Sequence, residues 1–111
     1  MPLSSIDRGG IRIVRVESTR IDAAGVIRFK EAMRACIGDG PDLLILDLEQ
    51  VEFIDSSGLG AIIATMKQLG EKRMALAGLG TLVEKVFRLT RMDSVFAIHP
   101  TVNDALRAAG K

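Results

Sequence analysis

The chain is 111 residues long, and 48% of it is hydrophobic, which suits one packed domain spanning residues 1–111 and leaves little room for a second. Only 4% is aromatic, with no Trp and no Tyr, so a surface of stacking platforms for nucleic-acid bases is disfavoured. Fifteen basic and fourteen acidic residues give a net charge of +1 without a long run of either sign, which argues against partners held by charge alone, nucleic acid or a membrane surface. Cys36 is the only cysteine, so neither an internal disulfide nor a cysteine-rich metal site is available. The first residues, Met1-Pro-Leu-Ser-Ser-Ile-Asp, carry neither a basic nor an apolar leader pattern. No apolar run is long enough to span a bilayer. A soluble, cytoplasmic domain is expected.

In chain order, residues 3–7 are expected to form a short edge strand, joined through Gly9-Gly10 to a β-branched strand at 11–16. Asp22 stands ahead of a helix expected over 23–37, as its cap or first-turn acid. Val26, Phe29, Met33, Cys36 and Ile37 share the apolar face, and Cys36 reads as a buried small hydrophobe. Gly38-Asp39-Gly40-Pro41 stops the helix. The run Leu43-Leu-Ile-Leu-Asp-Leu48 predicts a central strand covered on both faces, with Asp47 in need of solvent or a partner.

The stretch that follows organises the chain. Phe53 and Ile54 are expected to close the apolar run, and Asp55-Ser56-Ser57-Gly58 to turn it. Leu59, Ile63 and Met66 then predict a helix to about Leu69, with Ser57 as its cap. Two hydroxyls and a carboxylate thus stand at the positive end of a helix, where added negative charge is tolerated. A serine there could carry a phosphate without melting the helix. On residue types alone, an ordinary capped helix with Gly58 and Gly60 allowing close backbone approach is the cheaper reading.

Beyond Gly70, residues 74–79 read as a strand whose small side chains would let a helix lie close. Thr81 and Glu84 have capping-box spacing for a helix over 82–90, with Leu82, Val83, Val86, Phe87 and Leu89 on its apolar side. After Met92-Asp93-Ser94, residues 95–98 predict a short strand. Thr101 is placed to cap a last helix over 102–109, with Val102, Ala105, Leu106 and Ala109 inward. The alternation implies an α/β fold: a largely parallel or mixed sheet of four to five strands, with right-handed crossovers and about four helices. In such sheets functional surfaces lie beyond the strands' carboxyl ends, where the Asp55–Gly58 turn falls.

Most catalytic patterns fail. A Ser-His-Asp triad would have to use His99, the only histidine, and Ser56 lacks the nucleophile elbow because Ile54 occupies the first glycine's place. One His and one Cys do not make a transition-metal shell. Gly58-Leu-Gly60 and Gly78-Leu-Gly80 do not continue as phosphate loops. Asp47 and Asp55 flank a strand end, but a solvated turn explains them more cheaply than paired acid–base work. The residues do not read as an enzyme, and they call for no cofactor.

The segment Asp47-Leu-Glu-Gln-Val-Glu-Phe-Ile-Asp-Ser-Ser-Gly-Leu-Gly60 resembles the signature of STAS domains, and more narrowly that of bacterial anti-sigma factor antagonists. The likeness extends to the Ile21-Asp22 entry to the first helix, to Leu69-Gly70 and to Val86-Phe-Arg-Leu89. It implies a STAS-like sheet-and-helix fold and a phosphorylation-controlled binding module with no cofactor of its own. The partner implied is an anti-sigma factor that is a serine kinase of the histidine-kinase-like ATPase fold, with a PP2C-type phosphatase to reverse its action. Carried onto this chain, the phosphorylated residue is Ser56. Asp55 would position it or touch the kinase, Ser57 would cap the helix, and Gly58 would let the partner approach. Leu59 and Asp22 complete the implied partner-binding set. Many antagonists carry G-E-[LI]-D before the first helix; here Ser18-Thr-Arg-Ile-Asp22 keeps the aspartate and puts Arg20 in the acid's place. The resemblance leaves two other roles open: a STAS subunit bracing the ATPase of an ABC-type lipid transporter, and a nucleotide-binding STAS module.

Overall fold

The computed structural model describes residues 2–110. Its frame is a five-stranded mixed sheet in the order β1-β2-β4-β6-β7. β1 (Leu3–Arg8) and β2 (Ile11–Val16) form the expected antiparallel hairpin, turned by Gly9 and Gly10 at φ 53° and 83°. β4 (Leu43–Asp47), β6 (Arg73–Ala77) and β7 (Ala97–His99) then add in parallel. All five residues of β4 are buried, as the apolar run Leu43–Leu46 requires of a central strand, and Asp47 is buried with them.

Alternation along the strands sorts the core into two layers. Val14, Val16, Leu44, Leu46 and Leu76 face α1 (Val26–Ile37), α2 (Ser56–Leu69) and α3 (Thr81–Leu89), which contribute Phe29, Met33, Ile62, Val83 and Phe87. On the other face, Ile11, Ile13, Leu43 and Ile45 meet Ala105 and Leu106 of α4 (Val102–Ala108). Ala75 and Ala77 of β6 lie in that second layer, so the small side chains do admit a close helix. Thr101 caps α4, accepting from the Asp104 N–H at 3.1 Å.

Several boundaries depart from the sequence reading. Phe53 and Ile54 do not extend the run that begins at Leu43. They form β5 (Phe53–Ile54), which pairs in parallel with β3 (Arg20–Ile21) as a separate two-stranded sheet. The first helix starts at Val26, not residue 23, with Gly25 as its N-cap and no side-chain cap. Asp22 instead closes a turn, its Oδ1 accepting from the Gly25 N–H at 3.3 Å. β6 ends at Ala77 because Gly78, at φ 75°, turns the chain out of the sheet. The expected strand at 95–98 is displaced to β7, since the Val95 and Phe96 amides bond back to the Met92 carbonyl. Cys36 is half-buried and not a full core residue.

α3 holds the largest correction. Gly80 is its N-cap and Thr81 its first residue, so the capping-box role for Thr81 does not form. Its five apolar residues do not all face inward. Val83 and Phe87 are buried and Val86 half-buried, while Leu82 and Leu89 are 53% and 73% exposed. Phe87 meets Phe96 edge-on, with ring centroids 6.0 Å apart. Removing each side chain separates the two environments. Phe87→Ala should cost about 3–5 kcal/mol and Leu89→Ala no more than about 0.5 kcal/mol, read as midpoint shifts in urea unfolding. Similar losses from both would contradict the assigned helix face.

Candidate functional site

The two-stranded sheet brings the Asp22 and Asp55 segments together. Parallel pairing sets Arg20 beside Phe53 and Ile21 beside Ile54, so both strands run in one direction and end side by side. Beyond them the chain turns into α1 on one side and α2 on the other. Asp55 is the first residue after β5, and its carboxylate reaches both the start of α2 and the turn that precedes α1.

Asp55 is the N-cap of α2. Its backbone is extended (φ −107°, ψ −175°), and Oδ1 accepts from the Gly58 N–H at 2.9 Å. Oδ2 accepts from the Ala23 N–H at 3.0 Å, across a sequence distance of 32 residues. The expected cap, Ser57, is the second residue of the helix and does not perform this role. The aspartate sits one position earlier than Ser56, in the extended conformation that a cap needs. The Gly58 and Ala23 amides, in that order, hold the Asp55 carboxyl below the usual carboxylate range. It is therefore ionised at neutral pH. That charge lies at the positive end of α2, where the helix dipole favours it.

Gly58 fixes the depth to which α2 seats. A Cβ built there would fall 2.1 Å from the Ile21 carbonyl oxygen and 3.0 Å from the Ile21 Cγ2. The approach that this glycine permits is that of β3, and Gly58 is buried. Gly60, expected to share that role, has open space at its Cβ position. The Ile21 carbonyl also accepts from the Asp55 N–H at 3.3 Å. One residue of β3 thus contacts the start of α2 twice.

Ser56 and Ser57, the first two residues of α2, are both exposed. Leu59, by contrast, is 8% exposed and belongs to the core cluster with Ile62 and Val83. Asp22 is half-buried and accepts from Arg20 Nε at 2.9 Å through Oδ2. The surface at this end therefore offers Ser56, Ser57, Arg20 and the edges of Asp22 and Asp55. Leu59 and Gly58 stand beneath it.

The other candidate groups are engaged elsewhere. Asp47, buried at the end of β4, accepts from the Glu49 N–H at 3.0 Å and lies 3.9 Å from Arg15 Nε. It supports the turn into β5 and makes no carboxylate pair with Asp55. His99 ends β7, the last strand of the sheet, and its carbonyl accepts from the Gly78 N–H. Among the described residues no side-chain hydrogen bond joins it to Ser56, nor is any helix long and apolar enough to cross a membrane. Sequence reasoning missed Arg20 as a structured residue: its guanidinium carbon lies 4.5 Å from the Phe53 ring centroid. That contact follows from the pairing of Arg20 with Phe53 across β3 and β5, which left no signal in the sequence.

The pair of glycines yields a test. Gly58→Ala should lower stability by about 1–3 kcal/mol, the clash with backbone outweighing the gain in helix propensity. Gly60→Ala should raise it by up to about 1 kcal/mol. Thermal unfolding of both variants checks the signs, and a stable Gly58→Ala protein would contradict the described seat of α2.

Comparison with known proteins fits this strand–turn–helix geometry. The family model for the STAS domain matches residues 4–105. An anti-sigma-F factor antagonist of Mycobacterium tuberculosis is 28% identical over 101 residues, covering 90% of this chain and 82% of that protein. The crystal structure of an anti-sigma factor antagonist from Mycobacterium paratuberculosis superposes with a TM-score of 0.88 at 32% identity, covering 99% of this chain and 94% of the other. The Bacillus cell-fate determinant SpoIIAA, solved in its phosphorylated form, shares the fold at 19% identity, with a TM-score of 0.71 over 97% of this chain and 99% of its own. The chain belongs to the STAS domain family.

Proposed function

We propose that this chain is an anti-sigma factor antagonist that works by partner switching, with Ser56 as its switch. The observation that carries the reading is the exposure of Ser56 at the first position of a helix whose cap, Asp55, is already fixed by two amides. The names of the mycobacterial relatives support the role. In this reading the unphosphorylated chain, one cytoplasmic domain, binds an anti-sigma factor that is also a serine kinase and so releases a sigma factor. The kinase transfers the γ-phosphoryl group of ATP to the Ser56 Oγ: the bond to the β-phosphate breaks, ADP leaves, and the serine proton passes to the kinase's base. ATP and its metal belong to the kinase. This chain contributes the hydroxyl and the docking surface, and a PP2C-type phosphatase resets it.

A phosphoryl group adds about −1.5 to −2 charge to the helix start, beside the ionised Asp55. Burying that charge in a partner interface requires cations that the unmodified surface does not ask for. A coupling of about 3 kcal/mol between phosphate and partner already changes affinity by about two orders of magnitude. Local repulsion and desolvation are then sufficient, and no refolding is required. Asp22, Asp55 and Ser57 lie at the rim of that surface. Gly58 and Leu59, buried below, act on the partner by setting the position of α2.

Intact mass after incubation with ATP and the host's candidate serine kinase tests the reading. One phosphoryl group should be added to the wild-type chain and none to Ser56→Ala. Ser56→Asp should bind that kinase about tenfold or more weakly than wild type. Modification that persists in Ser56→Ala would transfer the site to Ser57. Tight binding without modification would favour a role bracing an ATPase.

A further inference from the structure

Arg20 stands where the antagonist pattern usually has an acid, and the fold gives it an unusual degree of order for a surface arginine. Its side chain is 59% exposed, yet it is held at two points. The guanidinium carbon lies over the Phe53 ring at 4.5 Å, and Nε donates to Asp22 Oδ2 at 2.9 Å. Among the described residues, neither terminal amino group of this guanidinium has a hydrogen-bond acceptor. Arg20 thus presents a positioned fork with its two outer nitrogens uncommitted.

The strand pairing sets that fork on the same short sheet whose other strand leads to Ser56. β3 and β5 run in the same direction, with Arg20 opposite Phe53. The contact from Arg20 to Asp22 leads forward along β3, as the chain from Phe53 leads forward to Asp55 and Ser56. Three residues of chain carry Phe53 to Ser56, a span of at most about 11 Å. Adjacent strands lie about 4.8 Å apart. An arginine and a phosphorylated serine reaching toward one another bridge such a separation. The other groups on this face, Asp22 and Asp55, are carboxylates already engaged with Arg20 Nε and with the Ala23 and Gly58 amides.

We propose that Arg20 is the intramolecular receiver of the phosphoryl group on Ser56, taking it on the terminal guanidinium nitrogens while Nε stays with Asp22. The inference rests on Ser56 being the modified residue, as argued above. Phosphorylation then alters the docking surface twice: it places an anion at the start of α2 and withdraws the Arg20 cation from partners. Arg20 is a positioning residue for the switched state and takes no part in the transfer itself.

The test installs phosphoserine at position 56 during translation, so its outcome does not depend on any kinase. The second ionisation of the phosphate is followed by 31P NMR against pH in otherwise wild-type protein, in Arg20→Gln and in Arg107→Gln. Arg107 serves as control because it removes the same charge from α4, on the opposite face of the sheet. A nearby cation favours the dianion, so the phosphate should ionise about half a unit or more lower in wild type than in Arg20→Gln. The Arg107→Gln protein should match wild type. Equal values in wild type and Arg20→Gln, or an equal rise in both variants, would overturn the assignment. Failure of a kinase to modify Ser56 in the native protein would instead count against the partner-switching role and leave this contact standing.

Discussion

The bridge made by the Asp55 carboxylate is the interaction on which the site depends. One oxygen holds the Gly58 N–H and so starts α2; the other holds the Ala23 N–H and so fixes the turn that enters α1. Because Gly58 has no side chain, the helix start lies directly against the Ile21 carbonyl. Two helices and the small second sheet are thereby joined at one point. Ser56 is the residue immediately beyond that point, and its exposure follows from the same geometry.

This arrangement separates rigidity from signalling. The groups that define the backbone (the Asp55 carboxylate, the Gly58 amide and the Ile21 carbonyl) are satisfied inside the protein. The groups that the proposed switch would use, the hydroxyl of Ser56 and the free side of the Arg20 guanidinium, are on the surface. A negative charge added at Ser56 meets a helix dipole that favours it and a carboxylate that opposes it. Among the described residues, no backbone hydrogen bond uses the Ser56 side chain, so a change at that hydroxyl breaks none of them. A binding switch of this kind acts by changing what the surface will accept.

The sheet was readable from the sequence wherever one pattern had a single physical solution. The apolar run at 43–46 had to be a central strand, and Gly9-Gly10 marked a turn ahead of the β-branched strand at 11–16. Asp-Ser-Ser-Gly before an apolar helix marked the turn into α2, and the resemblance to STAS domains singled it out as the candidate site. What the sequence left open depended on contacts distant in the chain. Whether Asp55 or Ser57 caps α2 is decided by β3, a strand of two residues that is too short to leave a periodic signal. The different duties of Gly58 and Gly60 likewise depend on Ile21. α3 misled for another reason: five apolar residues in a nine-residue helix exceed what one face can bury, so Leu82 and Leu89 point outward.

The central claim is that the Asp55 bridge persists when Ser56 carries a phosphate. Amide hydrogen exchange of Ala23 and Gly58, compared between the unmodified protein and protein with phosphoserine encoded at position 56, addresses it directly. Protection of both amides should be retained in the phosphorylated form, because the added charge acts outward and leaves the carboxylate's two bonds intact. Loss of protection at either amide on phosphorylation would contradict the account, and would mean that the switch operates by opening the start of α2.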